Sequence, residues 1–148
     1  MKPTLVILLH SHAHDRVYQA ASLCLAASSM GWPCHLVLFY QALAAYVDGA
    51  WDAGPEEMNA PEAVGAGHRF DGWSRSVERG FEDAGFPPVA ELLEKARSEE
   101  GGLKLYACSA SVKVLGLDPG VVRRRVDEIV GLPTILGIAE SARFAWYI

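Results

Sequence analysis

The 148-residue chain lacks the features of several functional classes. No apolar stretch approaches the roughly 20 residues that a membrane-spanning helix needs, so no transmembrane segment is expected. No leader is expected either, because Lys2 and Pro3 precede a short apolar run that His10-Ser11-His12 ends. The net charge is −5, and no basic cluster is longer than Arg123-Arg124-Arg125. That excludes the basic footprint of a nucleic-acid binder, and the three arginines are expected on the wet face of a helix. Cysteine is scarce: three residues, Cys24, Cys34 and Cys108, without CxxC spacing. This excludes a disulfide scaffold or a zinc knuckle and fits a reducing, cytoplasmic setting. GxSxG, GxGxxG, P-loop and HExxH patterns are missing, so neither a serine-hydrolase elbow nor nucleotide binding is indicated. No organic cofactor is implied.

What is present is a globular balance, 51% hydrophobic and 21% charged, at a length that builds one domain with a core. Thr4 to Leu9 is a continuous apolar run, as in a strand buried on both faces. Asp15 can cap the helix that follows, Val17 to Met30, whose inward face (Val17, Ala20, Ala21, Cys24, Ala27, Ser28) is small enough to lie close on a sheet. Gly31 and Pro33 stop it. His35 to Tyr40 reads as the second strand and Gln41 to Val47 as a short helix. Asp48 to Pro88 reads as a long ordered loop rich in Gly, Pro and acidic residues. It carries Trp51, His68, Phe70, Trp73, Phe81 and Phe86, with a helix around Ser74 to Ala84. Such a loop serves as a lid, a binding loop or an oligomer contact.

Val89 to Glu99 returns to an amphipathic helix, with Leu92, Leu93 and Ala96 inward and Gly101-Gly102 after it. Leu103 to Ala107 is a strand, and Ser109 to Leu115 a helix that Ser109 and Ser111 can cap. Asp118-Pro119 marks a cap with proline at the first helical position, and Val122, Val126 and Ile129 mark a buried stripe running into a short strand. A helix over Pro133 to Ser141 and a strand over Phe144 to Ile148 complete the chain. The alternation predicts one α/β domain over 1–148, with the insertion at about 48–88. Its architecture is a three-layer α/β/α sandwich on a mostly parallel five-stranded sheet of flavodoxin-like topology.

In such folds ligands collect at the C-terminal ends of the strands, where Cys108 and the histidines His10, His12 and His14 fall. A thiol at a strand-to-helix junction meets helix N–H groups and a dipole that favour the thiolate. Cys108 is therefore the candidate catalytic residue, set against a buried, inert cysteine. Cys24 and Cys34 read as packing. Ser109 and Ser111 can hold a charged sulfur or small anion, and His12 or His14 can tune the thiol or move protons; the competing reading makes them cap and loop residues. His10 reads as structural. Alternating His10, His12 and His14 share a face if extended, which leaves a metal site as a further alternative.

Three stretches resemble the DsrE/DsrF-like sulfur-relay family, which includes TusD-type proteins. The first is the opening strand and alanine-rich helix through Met30-Gly31-Trp32-Pro33, with the strand after it. The second is Leu103-Lys104-Leu105-Tyr106-Ala107-Cys108-Ser109 with Leu115-Gly116-Leu117. The third is Ile129-Val130-Gly131 with Thr134 to Ser141 and the last strand. The resemblance implies a compact α/β fold, homo- or hetero-oligomers, and a cysteine, here Cys108, that carries sulfur as a persulfide between donor and acceptor proteins. The expected function is an intracellular sulfur carrier or sulfurtransferase. The alternatives are a non-catalytic oligomeric binding protein and a histidine-based metal-binding protein.

Overall fold

The computed structural model describes residues 1–53 and 73–148. Five strands, β1 (Leu5–Leu9), β2 (Cys34–Leu38), β3 (Leu103–Cys108), β4 (Glu128–Val130) and β5 (Phe144–Tyr147), form one sheet in the order β4-β3-β2-β1-β5. All four pairings are parallel. The described helices are α1 (His14–Ser29), α2 (Tyr40–Val47), α3 (Ala50–Ala53), α4 (Trp73–Asp83), α5 (Val89–Ser98), α6 (Ser109–Val114), α7 (Pro119–Arg123) and α8 (Leu132–Glu140). The strand order differs from the 2-1-3-4-5 order of a flavodoxin-like sheet. Here β1 to β4 follow one another in a single direction, and β5 returns to the far side of β1.

That order divides the helices unequally. Right-handed crossovers that step repeatedly in one direction place every connection on the same face of the sheet, and only the return from β4 to β5 lands on the other. The larger core accordingly joins Leu5, Ile7, Leu36 and Leu105 of the sheet to Ala20, Cys24, Leu43, Leu92, Val112 and Val122 of α1, α2, α5, α6 and α7. The smaller core, Val37, Tyr106, Cys108 and Val130, takes Ile135 and in part Ile138 from α8, the one helix among the described residues that contributes to it. The three layers are present, one thick and one thin.

Local chemistry explains most element ends. The small residues of α1 are buried against the sheet. Gly31, at φ +74°, closes this helix, with Gly31 N–H donating to the Ser28 carbonyl and Trp32 N–H to that of Ala27. This paired pattern needs the left-handed conformation that glycine adopts without strain. Asp15 does not cap α1. The N-cap is Ala13, and Asp15 lies inside the first turn, where its carboxylate favours the helix dipole and accepts from Arg16 N–H. Asp118 caps α7 as expected, its Oδ1 accepting from Gly120 N–H (2.6 Å) and Val121 N–H (3.2 Å).

Of the segment expected as a long loop, α3, α4 and the turn into α5 are described. The remainder, with His68 and Phe70, lies outside the described residues. Trp51 is fully buried, with its ring 5.0 Å from that of Tyr46. The arginine run divides in function. Arg123 and Arg124 are exposed, but Arg125 donates to the Tyr46 carbonyl (2.8 Å) and pairs with Asp52 (2.6 Å). Its guanidinium lies 4.7 Å from the Tyr46 ring centroid, tying α2 and α3 to the end of α7. Among the described residues, no helix is long and apolar enough to cross a membrane.

Candidate functional site

The C-terminal ends of β1 to β4 form one rim. Leu9, Leu38 and Ala107 occupy one row of the sheet register, and Cys108 pairs with Val130 in the next. Extending that row by one residue along β2 and β1 adds Phe39 and His10. Side chains alternate across a strand, so with Ala107 in the larger core Cys108 faces the α8 side. Cys108 is 2% exposed and packs in the small core of Val37, Tyr106, Val130 and Ile135. Cys108 is the N-cap residue of α6, at φ −67° and ψ 121°.

The two serines do not cap α6. Ser109 is its first residue and is exposed, while Ser111 is fully buried and its Oγ has no hydrogen-bond partner among the described residues. The capping position falls one residue earlier than the sequence pattern indicates, on a cysteine that makes no side-chain cap bond. Ser109 lines a cavity of about 420 Å³ with Val112, Lys113, Leu117, Pro119, Arg123 and Ile129. Cys108 does not line it.

The histidines are not gathered. His10 is half-buried, with its ring 5.4 Å from that of Tyr40 and 6.3 Å from that of Tyr147. His14 is buried at the start of α1, 5.1 Å from the Phe81 ring and 5.7 Å from the Tyr18 ring. Burial lowers the His14 pKa, partly opposed by the Asp15 charge. His12 is half-buried on the segment between them. Among the described residues, no three His, Cys, Asp or Glu side chains are grouped so as to hold a metal ion. The His14 ring and the Cys108 sulfur lie on opposite sides of the sheet, and β1 and β3 are two strand spacings apart, about 10 Å. His10, read from sequence as structural, is the histidine that shares the Cys108 row, with Phe39 between them.

The other two cysteines form a unit of their own. Cys24 and Cys34 are both buried and free. A hydrogen bond with Cys34, then burial and the neighbouring charge, push the Cys24 thiol well up, which keeps it protonated and unreactive. Both belong to the larger core, across the sheet from Cys108. Sequence spacing carries no sign of this contact, because it arises only when α1 folds back over β2.

Two further features of the sheet escaped the sequence reading. On the α8 side, Tyr106 Oη and His35 Nδ1 lie 3.2 Å apart. Burial, then the Lys104 charge, lowers the His35 pKa, so the neutral ring is favoured and its Nδ1 can accept the Tyr106 proton. Tyr40, at the β2-to-α2 junction beside His10, has φ +34°, a left-handed value uncommon for a bulky residue. Neither feature has a motif; a single alternating polar residue or a strand-end tyrosine is ordinary in sequence.

No family model matches the chain, and no match to a characterised protein was found either.

Proposed function

We propose that the protein is an intracellular sulfur carrier or sulfurtransferase that uses Cys108. One observation carries this reading. Of the three cysteines, only Cys108 stands at the C-terminal end of a sheet strand, where α/β folds act on ligands, while Cys24 and Cys34 are locked together in the main core. The resemblance of the Leu103–Ser109 stretch to the DsrE/DsrF-like family supports the same reading.

In the proposed step, the Cys108 thiolate attacks the outer sulfur of a donor protein's cysteine persulfide. The donor S–S bond breaks, the donor cysteine leaves as a thiolate, and Cys108 holds the new persulfide. An acceptor protein's thiolate then attacks that outer sulfur and releases Cys108 as a thiolate. No net electrons are exchanged and no organic cofactor is needed. Ser109, exposed beside Cys108, supplies a hydroxyl at the rim. Because Cys108 is buried, each transfer requires α8 to lift from the small core. Donor and acceptor proteins are the proposed partners, the cytoplasm the proposed compartment, and a homo-oligomer the proposed state.

The same burial favours a second reading, a non-catalytic oligomeric binding protein in which Cys108 packs the α8 face. Selective alkylation tests the carrier reading. Carrier function expects Cys108 to react with iodoacetamide in the native protein well ahead of Cys24 and Cys34. Equal resistance of all three cysteines sinks the carrier reading and leaves the second.

A further inference from the structure

We infer that two copies of this chain join edge to edge through β5, antiparallel about a two-fold axis at Ala145, so that their sheets become continuous. This specifies the contact of the homo-oligomer proposed above and is independent of the sulfur chemistry.

β5 bonds to β1 on one side, and among the described residues no strand pairs with its other side, which is a sheet edge. The phase of that edge follows from the bonds to β1. Phe144 N–H donates to the Thr4 carbonyl, Ile148 N–H to that of Leu8, and His10 N–H to that of Ile148. Even-numbered residues therefore turn their peptide groups toward β1, and Ala145 and Tyr147 present N–H and C=O outward. Every residue of the strand is exposed, Phe144 at 36%, Trp146 at 43% and Tyr147 at 69%. No charged side chain interrupts the run after Arg143. The opposite edge is different: β4 has only three residues, and Asp127 and Glu128 place acidic charge at its start. Short length and charge are the usual protections of a sheet edge, and β5 lacks the charge.

A second copy fits this edge because the edge is self-complementary. A two-fold axis normal to the sheet keeps matching faces together, so opposed residues must share a face. With the axis at Ala145, that residue opposes its own counterpart. Its outward N–H and C=O then exchange two hydrogen bonds across a pair of Cα atoms about 5.5 Å apart. On the α1 side, Phe144 meets the partner's Trp146, and Trp146 meets the partner's Phe144. These rings already form a row, with Trp32 stacked on Phe144 at 5.7 Å and Phe144 6.5 Å from Trp146. Cross-strand aromatic pairs of this kind stabilise antiparallel sheets, and the small alanine keeps the axis clear.

Ala145→Pro tests the contact on the full chain. It removes an N–H that faces away from β1, and proline is accepted on an edge strand at such a position. Sedimentation velocity is expected to show a wild-type dimer and a monomeric A145P with unchanged circular dichroism. If A145P does not fold, Ala145→Lys serves instead, since it sets two charges face to face on the axis. Ala145→Cys is expected to be joined to its partner by a bifunctional thiol reagent spanning about 5 Å. An oligomer that A145P or A145K leaves intact and A145C does not cross-link overturns the β5 contact, while the homo-oligomer itself stands. A wild-type monomer overturns both.

Discussion

Among the described residues Cys108 is covered by one thin layer, and that makes its reactivity a quantitative matter. The cover is α8, whose fully buried contact is Ile135 at 3% exposure, with Ile138 partly buried beside it. Burying one such side chain is worth about 1.5–3 kcal/mol. Lifting α8 therefore costs a few kcal/mol, against roughly 5–15 kcal/mol for unfolding a whole domain. Cys24 and Cys34 lie between the sheet and α1 and are reached only by the larger event. A native-state alkylation time course read by peptide mass spectrometry is expected to label Cys108 at least 100-fold faster, since each 1.4 kcal/mol is about tenfold. Two variants separate the openings. Leu92→Ala, in the α1–α5 side of the larger core, lowers global stability by about 2–5 kcal/mol. It should accelerate Cys24 and Cys34 by roughly 30-fold or more and leave Cys108 unchanged. Ile135→Ala weakens both events by a similar amount and should accelerate all three cysteines. Cys108 rising in step with Cys24 in L92A would refute a separate α8 opening.

Three further outcomes follow from individual contacts. Ser111→Ala removes a buried hydroxyl that has no partner among the described residues; chemical denaturation should show equal or greater stability, by up to about 1–3 kcal/mol, and a clear loss would mean the hydroxyl is bonded. Asp118→Ala should cost about 1 kcal/mol in the same assay, because it strips the two bonds that cap α7. His14 has its folded pKa lowered by burial from the unfolded 6.5, so the unfolded chain binds the proton more readily. Its contribution to stability is complete above that value and is lost as pH falls from about 6.5 through the folded pKa. His14→Phe, which keeps a ring beside Tyr18 and Phe81, should flatten the part of the pH–stability profile in that window that His14 supplies, and an unchanged slope would contradict this assignment.

The fold was largely legible because its determinants are local. An apolar run without alternation identified β1 as a strand buried on both faces, and a second apolar run identified β2. Small residues on one face identified α1, and Asp118-Pro119 marked the start of α7 to the residue. Strand order was not legible, since no residue in β4 or β5 encodes which side of β1 receives the returning chain. That one step decides which helices share a face, and so decides that Cys108 faces α8 while Cys34 faces α1 and its Cys24. The site was legible as a position and not as a geometry. Cys108 at a strand end could be read from the pattern, but its burial under Ile135 depends on a helix that begins 24 residues later. The histidines were misleading for a related reason. The chain turns into α1 at His14, so His10 and His14 do not share one extended face.

The carrier proposal is tested most directly by whole-protein mass spectrometry after incubation with a persulfide donor and removal of the excess. The wild type is expected to gain one sulfur atom, mapped to Cys108 by peptide analysis, and to lose it to an added acceptor thiol. The Cys108→Ala variant, with Cys24 and Cys34 intact, is expected to gain none. No mass gain on wild type, or an equal gain on the variant, contradicts a persulfide at Cys108.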